Sequence, residues 1–179
     1  LDATVAALKK LGAPDAVGLQ VDLFDGASVD AALVELDQRW GHLNALVNAA
    51  GPLVGDLKSF ETYTDEEWQS VYSGLLMGAV RTIRAALPLL RKADWARIVN
   101  VSAMSTKRQS PPLVAYTSAK AALTSVSKNL SQSLAPEGIL VNTVSPGTFV
   151  SESFKKVLAP IPDLDENDLH AVMRYINKN

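Results

Sequence analysis

Cysteine is absent from the 179 residues, which excludes disulfides, thiolate chemistry and any Cys-based metal site. Histidine is nearly absent. His42 and His170 stand far apart, match no ligand spacing, and are read as solvated surface. A charge excess of either sign is also missing: 17 Lys and Arg against 19 Asp and Glu give a formal net charge of −2. No basic face dominates, so no nucleic-acid partner is expected. No apolar run approaches the ~20 residues needed to span a bilayer, and no membrane partner is expected. The opening Leu1-Asp2-Ala3-Thr4 carries neither an initiator Met nor a signal-peptide pattern. A cytoplasmic, soluble protein is the resulting expectation.

What is present is the composition of an ordinary globular protein, 47% apolar and 20% charged, at a length that fits one domain with a real core. There is no internal repeat, low-complexity tract or interdomain linker. Residues 1–11 read as the tail of an amphipathic helix with Val5, Leu8 and Leu11 on one stripe and Gly12 as its stop. Residues 16–21 read as a strand ending at Asp22. Asp25-Gly26-Ala27-Ser28 opens a helix that runs to about Trp40, and residues 43–48 form a buried strand. Thr64-Asp65-Glu66-Glu67 is an N-cap with acids in the first turn. It starts a helix reaching about Lys92, bent or ended near Pro88. The run from Ile98 to Val101 is a second buried strand, residues 114–134 a long helix, and residues 139–144 a third strand ending in Ser145-Pro146-Gly147. After Ser151 periodicity fades until a last helix at 166–176. This β-α alternation implies a parallel sheet with helices on both faces.

One pair of side chains carries chemistry. Helical spacing of four puts Tyr116 and Lys120 on one face, one turn apart, near the start of the long helix. Two parallel strands joined by that helix present their carboxyl ends to one crevice, where a ligand would meet the pair. A phenol with a pKa near 10 is a poor proton carrier at neutral pH. A neighbouring ammonium favours the phenolate and moves Tyr towards general acid/base work.

The residues around this pair form a set of motifs: Ile98-Val99-Asn100-Val101-Ser102, then Tyr116-Thr117-Ser118-Ala119-Lys120-Ala121-Ala122, then Val141 to Gly147. Upstream stand Leu46-Val47-Asn48-Ala49-Ala50-Gly51 and Val21-Asp22-Leu23-Phe24-Asp25. In order and spacing, these resemble the short-chain dehydrogenase/reductase family, most of all the branch that includes 3-oxoacyl-carrier-protein reductases. The resemblance implies an α/β, Rossmann-type fold spanning residues 1–179 as a single, incomplete domain, with 151–179 as the substrate lid. Phe154, Val157, Leu158 and Ile161 in that lid imply an apolar substrate. It also implies an NAD- or NADP-dependent oxidoreductase that interconverts a carbonyl and a secondary alcohol, with a small-molecule substrate and a homo-oligomer, tetramer or dimer, built through the two long helices.

Under the same resemblance Tyr116 is the general acid/base. Lys120 tunes it and holds the nicotinamide ribose. Asn48, Ala49, Ala50 and Gly51 let the dinucleotide pass close to the backbone. Asp22 and Leu23 meet the adenine, and Pro146, Gly147 and Ser151 hold the nicotinamide side.

The chain departs from the family at several points. The glycine-rich turn and the first two strands are absent, as is the last strand, so two parallel edges are expected to lie open. A piece of a longer polypeptide is the favoured explanation over a short chain closed by rearrangement or association, because the buried strands carry no polar adaptation. The family's substrate-orienting Ser falls on Ala103. Ser102 is the first substitute and Ser105 the second, although neighbours on an extended segment point to opposite faces. Leu75 stands where the family has an Asn that braces a water near the lysine. The alternatives to an active oxidoreductase are therefore a weak or inactive relative that binds dinucleotide or a partner, and a structural subunit of an assembly.

Overall fold

Apolar side chains at alternating positions define the strands of this chain, and apolar side chains every third or fourth residue define its helices. The structure, a computed structural model, describes residues 1–52, 58–147, 155, 158–165 and 167–178. It divides into two units, Leu1–Ser145 and Pro146–Asn179. In the first, α1 (Asp2–Lys10) ends at Gly12, which takes a φ of 99°. An extended stretch leads to α2 (Gly26–Trp40), capped by the Asp25 carboxylate on the Ala27 N–H and stopped by Gly41 at φ 71°. Then come β1 (Ala45–Asn48), α3 (Asp65–Tyr72), a wide π-type turn (Ser73–Met77), α4 (Gly78–Leu90), β2 (Ala96–Val101), α5 (Val114–Ser133) and β3 (Ile139–Val144). The second unit contains α6 (Leu169–Lys178), where Asp168 accepts the His170 and Ala171 N–H groups.

The sheet is parallel, in the order β1-β2-β3, with Leu46 opposite Ile98 and Ile98 opposite Val141. Both crossovers are helical, as parallel pairing requires. Burial alternates along β2. Ala96, Ile98 and Asn100 are buried, and the residues between them are not. The buried face meets α4 and α5, with α2 stacked on α4, and Val29, Leu33, Ile83, Leu90, Ile98 and Ile139 share one core. On the other face Val47, Leu140 and Val144 are each between 44% and 60% exposed. Counted through the wide turn, Asp65–Leu90 has the length and apolar composition of a membrane span, which the absence of a long uninterrupted run does not reveal. Its most apolar window is 44% buried and α4 packs on β1 and β2, as a core helix does.

Two elements differ from the sequence expectation. Residues 16–21 form no strand. Val17, Leu19, Val21 and Leu23 alternate as a strand's residues would and turn their side chains to a common side. No ladder pairs them, and a cleft of about 430 Å3 with mainly aliphatic walls lies between them and β1. The stretch is held instead by side chains. Asp15 accepts from Arg39 Nε and Nη2 at 2.6 Å and from Trp40 Nε1 at 2.9 Å, and these bonds hold its carboxyl well below the usual carboxylate range. The long helix expected from Asp65 is broken in phase by the wide turn, and Pro88 sits inside α4 without ending it.

That wide turn is where three segments converge, and small residues permit it. A Cβ on Gly74 would stand 2.7 Å from Pro52 Cγ and 2.9 Å from Phe24 Cζ. On Gly78 it would stand 3.1 Å from Leu23 Cβ. Rings and a proline cannot yield as a flexible tip can. Gly74→Ala should therefore destabilise the fold by about 1–2 kcal/mol even after the helical advantage of Ala, while Gly78→Ala stays within about 0.5 kcal/mol of wild type. Urea unfolding of the two variants checks this, and equal midpoints would contradict the convergence.

Candidate active site

The site is built where the end of β2 is bound to α5. Three consecutive residues make the connection. Asn100, fully buried, accepts from Asn48 Nδ2 at 2.8 Å and donates to Ser127 Oγ at 2.8 Å, and Ser127 donates to the Leu123 carbonyl at 2.7 Å. The Val101 carbonyl accepts from Lys120 Nζ at 2.7 Å. Ser102 Oγ lies 3.1 Å from the Lys120 carbonyl oxygen and 2.8 Å from Thr124 Oγ1. The buried polar atoms at this seam are all partnered, which is what makes burying them tolerable.

Lys120 is only 7% exposed, and no carboxylate pairs with it among the described residues. Its ammonium stands 5.8 Å from the Tyr116 ring centroid, within cation–π range. Burial pushes the Lys120 amine below the ordinary lysine value and the Tyr116 phenol above the ordinary tyrosine value. A neighbouring ammonium alone would pull the phenol down; here loss of water outweighs it. The arrangement can still move a proton. At neutral pH Tyr116 is a neutral phenol with a proton to give, and the Lys120 ammonium has two N–H bonds left after Val101 is served.

The other expected site residues fall in several places. Asn48 is tied to Asn100, while Ala49, Ala50 and Gly51 follow β1 as exposed small residues. Asp22 is exposed and its Oδ1 accepts the Phe24 N–H. The Leu23 side chain lines the aliphatic cleft, and its carbonyl accepts from Arg81 at 2.9 Å. Pro146 and Gly147 belong to the second unit, as do Leu158 and Ile161. Ser151, Phe154 and Val157 lie outside the described residues.

Ser102, expected as the substrate-side hydroxyl, is 3% exposed and spends that hydroxyl on α5. Ser105 is bound to α5 as well, accepting from Thr117 Oγ1 at 3.0 Å. Ala103 between them is extended, at φ −152° and ψ 150°, so its side chain faces opposite to that of Ser102. Leu75 is buried, and its Cδ2 occupies the space a Cβ on Gly51 would need. Arg81 is a further candidate that spacing does not single out, since it is one of two cations, with Arg84, on a largely apolar helix.

In the ligand-free protein, alkaline titration of phenolate absorbance in wild type minus Tyr116→Phe should show the Tyr116 inflection above 10.0. An inflection below that value would mean the ammonium, not burial, governs the phenol.

Comparison with known proteins adds family context. A family model described as short chain dehydrogenase matches residues 1–161. A putative ketoacyl reductase of monensin polyketide synthesis from Streptomyces virginiae is 36% identical over 147 residues, 81% of this chain and 55% of that protein. The 3-oxoacyl-(acyl-carrier-protein) reductase FabG of Staphylococcus aureus is 30% identical over 151 residues, 84% of this chain and 60% of the relative. A crystal structure of a short-chain dehydrogenase from Streptomyces avermitilis superposes with a TM-score of 0.74 at 32% identity, over 83% of this chain and 53% of that one. The chain thus spans a little over half the length of these relatives.

Proposed function

Because the chain belongs to the short-chain dehydrogenase family, we propose that it carries the acid/base half of an NAD(P)-dependent oxidoreductase that interconverts a carbonyl and a secondary alcohol. The observation that carries this is the pair at the β2–α5 seam. Tyr116 and Lys120 stand one turn apart, and the buried ammonium is bonded to a backbone carbonyl and, among the described residues, to no acid. A buried cation without a counter-ion is costly unless something uses it.

The residues present fit a dinucleotide in part. The exposed Ala49-Ala50-Gly51 leave the end of β1 open to close approach, Asp22 and Leu23 stand for the adenosine end, and the free N–H bonds of Lys120 suit ribose hydroxyls. Family resemblance assigns the nicotinamide side to Pro146, Gly147 and Ser151. When bound, a dinucleotide would supply or take the hydride. In reduction Tyr116 gives its proton to the carbonyl oxygen, and in oxidation it takes the proton back. Lys120 offsets the negative charge on the phenolate once the proton has left.

The Ser102 hydroxyl is spent on α5, and a missing donor to the substrate carbonyl costs about 2.7–4 kcal/mol in other enzymes. Ser105 Oγ accepts from Thr117 and keeps its own O–H to donate, so turnover is slow unless Ser105 takes that place. Family resemblance extends the proposal to a dimer or tetramer through α4 and α5, which sedimentation at micromolar protein checks; a monomer overturns that part.

Two substitutions test the chemistry. With NADH or NADPH titrated by nicotinamide fluorescence on protein of verified mass, Tyr116→Phe should retain binding while turnover of a carbonyl substrate falls about 10²–10⁴-fold. A normal rate in that variant would remove Tyr116 from the mechanism, and turnover absent from wild type with binding intact would make the protein a dinucleotide-binding relative. Ala103→Ser, which restores a hydroxyl on the face opposite Ser102, should raise kcat by about 10²-fold.

A further inference from the structure

Arg81, one turn into α4, is a partly buried cation with no carboxylate partner among the described residues. Its Nη1 donates to the Leu23 carbonyl at 2.9 Å and to the Ser73 carbonyl at 3.2 Å, and its Nη2 lies 3.5 Å from Ser73 Oγ. The Ser73 carbonyl also accepts the Gly78 N–H, the bond that makes this turn of the helix wide. One planar guanidinium therefore spans from the wide turn to the end of the extended stretch, a reach that suits its fixed fork of donors.

The segment at the far end needs holding. Asp22–Asp25 closes on itself: Asp22 Oδ1 accepts the Phe24 N–H, the Asp22 carbonyl accepts the Asp25 N–H, and the Asp22 N–H goes to Ser28 Oγ. Those bonds set the shape of the turn but not its place against the sheet, because residues 16–21 are in no ladder. Among the described residues, Arg81 makes the only hydrogen bond from α4 to this turn. Gly74 and Gly78 let Phe24 and Leu23 close onto the same stretch of helix, so packing and the guanidinium act at one point.

We propose that Arg81 is a positioning residue for dinucleotide binding, holding the Asp22–Phe24 turn at the adenosine end of the crevice by spanning from the Leu23 carbonyl to the Ser73 carbonyl. This role rests on the dinucleotide reading above. Arg81 itself touches no ligand in it. Its effect passes through the place of the Leu23 backbone, and it should affect NADH and NADPH alike.

The test uses the full polypeptide as wild type, Arg81→Met and Arg81→Lys, with NADH, NADPH and AMP as ligands. Arg81→Met should weaken all three about tenfold, as expected for a lost charge-assisted hydrogen bond, with KM for cofactor rising far more than kcat falls. Arg81→Lys, which keeps the charge on one nitrogen but loses the planar geometry and the second contact to Ser73, should fall between the two. Amide exchange should quicken at Phe24 and Asp25 in the Met variant and stay unchanged at Ile98 and Val99 in the core.

Unchanged affinity in Arg81→Met would overturn the proposal. So would a loss confined to NADPH, which would make Arg81 a direct phosphate ligand, or a fall in kcat matched by faster exchange throughout, which would make it merely structural. If wild type bound none of the three ligands, the dinucleotide reading would fail and the binding role with it. The exchange at Phe24 and Asp25 would still decide whether Arg81 holds the turn.

Discussion

The seam between β2 and α5 is the constraint on which the site depends. Asn100, Val101 and Ser102 bond in succession to Ser127, to the Lys120 ammonium, and to the Lys120 carbonyl with Thr124. Every one of these groups is polar, and the residues at its centre are nearly or fully buried. Such a network is worth having only if complete, since one orphaned member in low dielectric costs more than its bond contributes. The completeness fixes α5 in rotation and in height, and Tyr116 and Lys120 inherit their places from it. Asn48 extends the same network to β1, so the end of the neighbouring strand is located by the same hydrogen bonds.

Burial at that seam has an electrostatic side. Tyr116 and Lys120 are moved in opposite directions by one cause, loss of water, and both shifts favour the neutral form. In the ligand-free protein, then, the pair leans towards a protonated acid beside an amine that is less firmly charged than usual. A base is made only when the phenolate is stabilised by more than the fold alone provides. The direction in which such a pair is ready to work is that of proton delivery to an oxygen.

Much of this was legible in the residues. The strands at 98–101 and 139–144, the helix at 114–134 and the Tyr116–Lys120 spacing follow from period and spacing alone, and the fold places them where those patterns put them. The misses have physical reasons. Val17, Leu19 and Val21 alternate correctly, yet a strand is a property of two backbones, and periodicity cannot see that the partner is lacking. The wide turn at 73–77 is invisible because composition there suits an α-helix equally well. Ser102 looked like a free hydroxyl because chain distance to Tyr116 says nothing of direction, and the pleat sends it into α5. Arg81 does not stand out from Arg84 on the same helix until its acceptors, two backbone carbonyls, are known.

The parallel register also bears on the order in which the molecule can be made. Ala96 must find Ile139 and Val101 must find Val144, with the whole of α5 looped out between them. Such a closure forfeits much chain freedom before any ladder bond repays it, so it comes late relative to the local helices. On a ribosome, β1 and β2 can meet while α5 is still being synthesised, whereas β3 cannot dock until Val144 has emerged. Tyr116 and Lys120 ride on the segment trapped by that last docking. The proton-carrying pair would then be assembled in the same step that completes the sheet, and a chain stalled earlier would hold core without chemistry.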